Sequence, residues 1–337
     1  MNVNIETLDL PDDIARQYIN ARQIFTALRE TETKAKSYRG SMLWRMIKGH
    51  TYLIRTSTRA TQTSLGPKGP GTDAIYEEFA AGKKLVEERR AGLRKALEMN
   101  QRLNRALYVG RMDDNIIDIL TGLHNAGLEN NLIVVGTTAL YAYETAAGVR
   151  IEERHLATND RDLLWGNRRK LSVAIKDGPL ESGLIGHLKR IDKTFELHPG
   201  QLYTAVNNDG FEVEIIRRMG SNNDNEPGQI KRDDGDFWAV RERNVDWLLS
   251  APEFRVVVVG KSGRMAQMVT VDPRAFALHK LWMMQDNDGS PLQRMRDGNQ
   301  AQVVINLVNN QLPQFSFDDI KAFPAETAGM LPTAKAE

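Results

Sequence analysis

The chain has 337 residues, 41% of them hydrophobic, with 45 basic and 44 acidic side chains for a net charge of +1. That length and apolar content suffice for a real core and suggest more than one domain, while the charge balance excludes a whole-molecule polycation argument for nucleic acid binding and leaves only a local one. With no cysteine, disulfides, zinc–thiolate sites and thiol nucleophiles are excluded, as fits a reducing compartment.

The amino terminus, MNVNIETLDLPDD, lacks the basic and apolar regions of a secretion signal. No stretch approaches a membrane-spanning length, so a soluble, cytoplasmic protein with no membrane partner is expected. From Pro11, two aspartates and apolar residues at Ile14, Tyr18, Ile19, Phe25 and Leu28 predict a helix. Leu43 to Arg59, with Gly49 between two β-prone runs, reads as a hairpin. The loop from Thr63 to Thr72 carries three glycines and two prolines and reads as a shaped connector. Arg45, Lys48, Arg55, Arg59 and Lys68 make this region basic and are candidate contacts to a polyanionic acceptor. Thr72 to Leu107 reads as one long charged helix, on the order of 50 Å at about 1.5 Å per residue, with Gly82 and Gly92 as potential bends.

Asn115 to Ala126 is a short amphipathic helix through Ile116, Ile119, Leu120 and Leu123. An apolar strand, Leu132 to Val135, then runs into Gly136-Thr137-Thr138 and a helical segment. Asp160 and Asp162 follow, two residues apart and running into Leu163-Leu164. Two carboxylates two residues apart on a strand share a face, which gathers hard oxygens suited to Mg²⁺. The glycine turn offers backbone N–H groups to a phosphate.

A helix is expected over Leu180 to Ile191, and a hairpin over Gln201–Asn207 and Phe211–Arg218, turning at Asn208-Asp209-Gly210. The polar tract from Gly220 to Asp236 is a loop or lid candidate. A helix closes from Trp247 to Phe254. Arg255–Val259 and Met265–Val271 then frame a Gly260-Lys261-Ser262-Gly263 turn. That triplet is not a P-loop: the motif needs a glycine where Arg255 stands and a helix afterwards. Helices follow over Asp272–Gln285 and from near Leu292 to Leu307, and the tail from Pro324 reads as disordered. The six histidines form no His-x-x-x-His pair and read as structural, with His279 beside Lys280 the one to watch, and the five tryptophans are expected in the core.

Glycine turn after a strand, helix, Asp-x-Asp strand, then a carboxylate on a later strand: in this order the segments GTTALYAYE, TNDRDLLW and FEVEII resemble the polymerase-β-like nucleotidyltransferase superfamily. With the DPRAFALHK helix and the Arg296-Asp297-Gly298-Asn299-Gln300-Ala301 segment, the chain is similar to standalone bacterial nucleotidyltransferase-fold proteins related to toxins of the AbiEii kind, over roughly residues 43–312. The resemblance implies an α+β fold, with a small mixed sheet flanked by helices. It implies an NTP substrate, a toxin–antitoxin-like relationship, and a metal site for Mg²⁺, or Mn²⁺ in its place, made by Asp160, Asp162 and Glu214. Glu214 would also help deprotonate the acceptor hydroxyl. Glu212 stands in phase with it as the alternative ligand. Gly136, Thr137 and Thr138 would bind the triphosphate, with Lys280 and Arg296 or Arg294 reaching its outer phosphates and Asp297 orienting a cation.

The base stays open, ATP included, and the acceptor can be an RNA 3′ end, a protein or a small molecule. Three positions depart from the superfamily pattern: Arg161 between the aspartates, Thr137 in the turn, and glutamate rather than aspartate at 214. They define a second reading, a catalytically degenerate member acting as a nucleic-acid- or protein-binding regulator. The expected organisation is an N-terminal helix, basic hairpin and long helix over 1–110, a nucleotidyltransferase core over 111–250, a hairpin and helices completing the site over 251–323, and a tail over 324–337.

Overall fold

The computed structural model describes residues 7–152, 170–176, 183–217, 228–229, 237–241, 245–285 and 290–317. Among them the fold is α+β. It comprises strands β1 (Thr7–Asp9), β2 (Ser41–Ile47), β3 (His50–Thr56), β4 (Gln62–Pro67), β5 (Leu132–Val135), β6 (Val149–Ile151), β7 (Lys170–Ile175), β8 (Glu196–His198), β9 (Gln201–Val206), β10 (Glu212–Arg217), β11 (Gly228–Gln229), β12 (Trp238–Arg241), β13 (Glu253–Val259) and β14 (Met265–Val271). The helices are α1 (Asp12–Ala35), α2 (Pro70–Ala106), α3 (Asp114–Asn125), α4 (Leu140–Ala147), α5 (Leu184–Ile191), α6 (Val245–Ser250), α7 (Pro273–Gln285) and α8 (Pro291–Gln311). None of the described helices is long and apolar enough to cross a membrane. The contacts divide the chain into two compact units, Arg16–Val109 and a second made of Met1–Ala15 with Gly110–Glu337. The boundaries therefore fall at 15/16 and 109/110, and residues on both sides of position 250 contribute to one sheet.

In the first unit, β2, β3 and β4 form an antiparallel sheet. The β2–β3 turn is Lys48-Gly49, and both residues have positive φ (49° and 82°), as a tight two-residue hairpin turn requires. The stretch expected to be a connector contains β4, which pairs with β3 across a register irregularity at Leu53/Ile54. Gly66, at φ 126°, takes up the distortion. Helix α2 starts with proline in its first turn, and the Gly69 N–H donates to the Thr72 hydroxyl at 3.0 Å. It runs unbroken through both glycines. At Gly82 the reason for glycine is proximity: a Cβ there would lie 2.5 Å from the Tyr38 hydroxyl.

In the second unit the main sheet has the order β11-β12-β10-β7-β5-β14-β13, with β9 also on β10 and β8 on β9. β10 runs parallel to β7, and β5 antiparallel to it. β14 runs parallel to β5, and β13 antiparallel to β14. The β9–β10 hairpin turns at Asn207–Gly210 as the Asn-Asp-Gly signal predicts. β5 is buried at every position, which explains its unbroken apolar run. α4 ends at Gly148 in the left-handed conformation (φ 68°) and is anchored by Tyr143, whose hydroxyl donates to the Val271 carbonyl at 2.9 Å.

The Gly260-Lys261-Ser262-Gly263 segment is a tight turn between β13 and β14. Its Ser262 N–H and hydroxyl bond the Asp114 carboxylate, at 3.2 and 2.6 Å. An acidic side chain of the protein thus takes the place an anion would need, in keeping with the rejected P-loop. The tryptophan expectation is corrected where side chains are described: Trp44, Trp247 and Trp282 are half-buried rather than core. Trp165 and the side chain of Trp238 lie outside the described residues, as do the tract 220–227 and the tail from 324.

Candidate active site

β5 delivers the chain into Gly136, whose φ of 69° is left-handed and suits glycine. The turn Gly136–Ala139 is 3₁₀ and passes directly into α4. Its two threonines have different tasks. Thr138 is buried and its hydroxyl donates to the Lys170 carbonyl at 3.2 Å, tying the turn to the start of β7. Thr137 is half-buried and accepts a hydrogen bond from Gln300 Nε2 at 3.0 Å. Its own hydroxyl proton remains available to an anion.

Register places the second half of the constellation beside this turn. Val135 faces Ser172 across β5–β7, and Ser172 faces Glu214 across β7–β10. The Glu214 carboxylate accepts from the Ser172 hydroxyl at 2.9 Å and pairs with the Lys170 ammonium at 2.8 Å, both through Oε2. Its side chain is 17% exposed. The C-terminal end of β5 and the N-terminal ends of β7 and β10 thus bring a glycine turn, a lysine, a serine and a carboxylate to one end of the sheet. Glu212 lies half-buried on the same face.

Asp160 and Asp162 fall outside the described residues. Among the described residues no group of three or more His, Cys, Asp or Glu side chains is placed to hold a metal, so Glu214 is the one described member of the expected ligand set.

The helices α7 and α8 pack on each other, and α8 also packs on α4. Lys280 and Asp297 form a buried pair at 2.7 Å, with side chains 8% and 1% exposed. Lys280 is therefore committed to Asp297 rather than extended into solvent. Gln300 follows Asp297 by one turn on the same face of α8, so a single helix face carries both the partner of Lys280 and the hydrogen bond to Thr137. Arg296 is half-buried, and its Nε is buried without a hydrogen-bond partner among the described residues. Arg294 is half-buried as well.

His279 sits between Trp247 and Trp282, with ring centroids 5.4 and 6.3 Å away. Burial, and secondarily the Lys280 charge, push its pKa down to about 3. It is a half-buried side chain that stays neutral near neutral pH.

The five basic candidates lie in the Arg16–Val109 unit. Arg45 projects from β2 and donates to Gln62 at 2.7 Å. Lys48 forms the hairpin turn. Arg55 stacks on Phe79 at 4.1 Å. Arg59 lies in the exposed turn after β3, and Lys68 lies over Trp44 at 5.5 Å.

Sequence reasoning gave no role to Lys170 or Ser172, and it read Gln300 only as part of the segment Arg296–Ala301. Lys170 and Ser172 follow no motif of their own. Only the pairing of β7 with both β5 and β10 reveals them.

Residues 114–324 match the family model described as Nucleotidyltransferase, and the chain belongs to that family. Its general role is nucleotidyl transfer with an NTP as substrate. No curated protein and no solved structure matched.

Proposed function

We propose that this protein is a Mg²⁺-dependent nucleotidyltransferase that moves a nucleoside monophosphate from an NTP to a hydroxyl acceptor. The observation that carries this reading is the register linking the Gly136 turn, through Ser172, to the Glu214 carboxylate at one end of the sheet. Glu214 and the two aspartates are hard oxygen donors, the chemistry Mg²⁺ selects. Asp160, Asp162 and Glu214 would hold the ion. Bound Mg²⁺ supplies charge neutralisation at the α-phosphate and the leaving pyrophosphate.

The other roles belong to the chain's own groups. Gly136 lets the backbone approach the triphosphate, and the Thr137 hydroxyl, oriented by Gln300, donates to it. Lys170 and Ser172 hold the Glu214 carboxylate in position to take the acceptor proton. Lys280 and Arg296 supply positive charge on the phosphate side, with Asp297 fixing the position of Lys280.

A second reading, a nucleotide-binding but catalytically degenerate regulator, is favoured by one observation: the Lys170 ammonium already occupies the Glu214 oxygen that a metal would share. Incubation of the protein with each labelled NTP, Mg²⁺ and total cellular RNA or protein separates the two. Label transfer that disappears in Asp160→Ala and Asp162→Ala supports the enzyme. NTP binding by calorimetry with no transfer to any acceptor supports the regulator. No binding of any NTP with Mg²⁺ overturns both.

A further inference from the structure

The division of the chain into two units is also a division of charge. Arg16–Val109 holds 19 lysines and arginines against 8 acidic residues, a net of +11, whereas the remainder holds 26 against 36, a net of −10. The near-neutral whole conceals this. The excess is concentrated: the 40 residues from Thr33 to Thr72 contain eight lysines and arginines and no carboxylate. A surface of one sign over that length of chain is the electrostatic footprint of a polyanion contact.

Within this stretch lies an open pocket of about 290 Å³ walled by Lys36, Arg39 and Arg55 and otherwise by hydroxyl residues, Ser57, Thr61 and Thr63 among them. Lys36 and Arg39 are exposed and reach it from solvent. Arg55 is held in place: its Nη2 donates to the Ser37 and Arg39 carbonyls at 3.2 and 2.8 Å, and its plane lies over Phe79. Its other terminal nitrogen, Nη1, is buried with no hydrogen-bond partner among the described residues. An unsatisfied guanidinium donor is costly, and the charge of Arg55 favours an anion in the pocket that it lines. The Ser57 oxygen accepts from the Arg59 and Thr61 N–H groups, both at 3.2 Å, which leaves its proton for an anion.

We propose that residues 16–109 bind a nucleic-acid strand through its phosphates, one of which sits in the Lys36–Arg39–Arg55 pocket. A free phosphate or mononucleotide would use the pocket alone. The further cations Arg45, Lys48, Arg59 and Lys68, outside it, call for a ligand with phosphates in series. The binding stands on this charge and pocket, while its use to dock an acceptor rests on the nucleotidyl-transfer reading above.

The test uses the full-length protein and a short fluorescein-labelled single-stranded RNA, followed by anisotropy as salt is raised, with single-stranded DNA, duplex RNA and inorganic phosphate as competitors. The double variant Lys36→Glu/Arg39→Glu alters only exposed side chains. It should bind RNA about tenfold or more weakly and show a log–log salt slope shallower by about two. Its thermal midpoint and calorimetric NTP binding should be unchanged, and Lys36→Arg/Arg39→Lys should bind like the wild type. Unchanged affinity and slope in the Glu variant overturn the proposal, as does wild-type protein that does not bind RNA even at low salt. Displacement of RNA by inorganic phosphate at equal phosphate concentration overturns the strand assignment. Wild-type protein that binds RNA through these residues but no NTP overturns the transfer reading and leaves this one intact.

Discussion

The two units treat charge in opposite ways. In Arg16–Val109 the fully buried polar side chains are uncharged (Gln17, Thr31, Asn104), and the ionised ones are exposed or half-buried. In the other unit Glu144, Asp272, Lys280 and Asp297 are buried, each with an opposite charge within reach. A buried charge contributes to holding the fold only while its partner is present, whereas an exposed one acts mainly on what approaches from solvent. Charge substitutions should therefore cost stability in the second unit and ligand affinity in the first.

The largest expected effect tests the buried side of that contrast. Asp297→Ala removes the carboxylate that pairs with the buried Lys280 ammonium and should lower unfolding stability by about 3–5 kcal/mol, read as a shifted urea midpoint. The double variant Lys280→Met/Asp297→Leu should recover most of that loss without recovering transfer. Glu214→Gln removes a proposed metal ligand and base yet keeps the hydrogen bond to Ser172. Transfer should fall roughly 10²–10³-fold with the melting temperature nearly unchanged; an equal fall in stability would make the carboxylate structural.

His279 supplies a pH signature confined to the same unit. Its pKa is pushed down to about 3 in the folded protein, from 6.5. Below pH 6.5 the unfolded chain takes up a proton that the native state refuses, so stability falls as pH drops from about 6.5 toward 3. The loss at pH 5 should be about 2 kcal/mol. Melts of His279→Phe against wild type should diverge progressively over that window. Gly136→Ala has room for the methyl, 3.9 Å from Ser172, so its cost is conformational, about 1–2 kcal/mol. At the small end, Lys36→Glu/Arg39→Glu should move stability by less than about 0.5 kcal/mol while weakening RNA binding. A large loss of stability there would erase the contrast.

Local signals carried much of the fold. Asn-Asp-Gly marked the β9–β10 hairpin, Gly49 the β2–β3 turn, prolines the starts of α1 and α7, and a four-residue apolar run the central strand β5. Glu214 was legible because its alternation with apolar neighbours marks a strand. What could not be read depends on pairing between distant segments. Ser172 acquires meaning only from lying between Val135 and Glu214, and Gln300 only from reaching Thr137 across 163 residues. β4 was hidden because Gly66 and Pro67 carry turn chemistry while pairing as a strand with a register irregularity. The charge split was invisible to composition because +11 and −10 nearly cancel, and it appears only once the boundaries at 15/16 and 109/110 are known.

The strand β1 pairs with β6, Asp9 opposite Val149, so the chain closes a loop of about 140 residues to complete one edge of the second unit. Everything in Arg16–Val109 lies inside that loop. A ribosome adding about 5–20 residues per second needs on the order of ten seconds between delivering the two strands. During that interval the basic unit has its whole sequence and can fold, while β1 has no partner. The connectivity thus imposes one constraint on assembly: β1 pairs only after β6 has emerged, by which time the whole of Arg16–Val109 has been made.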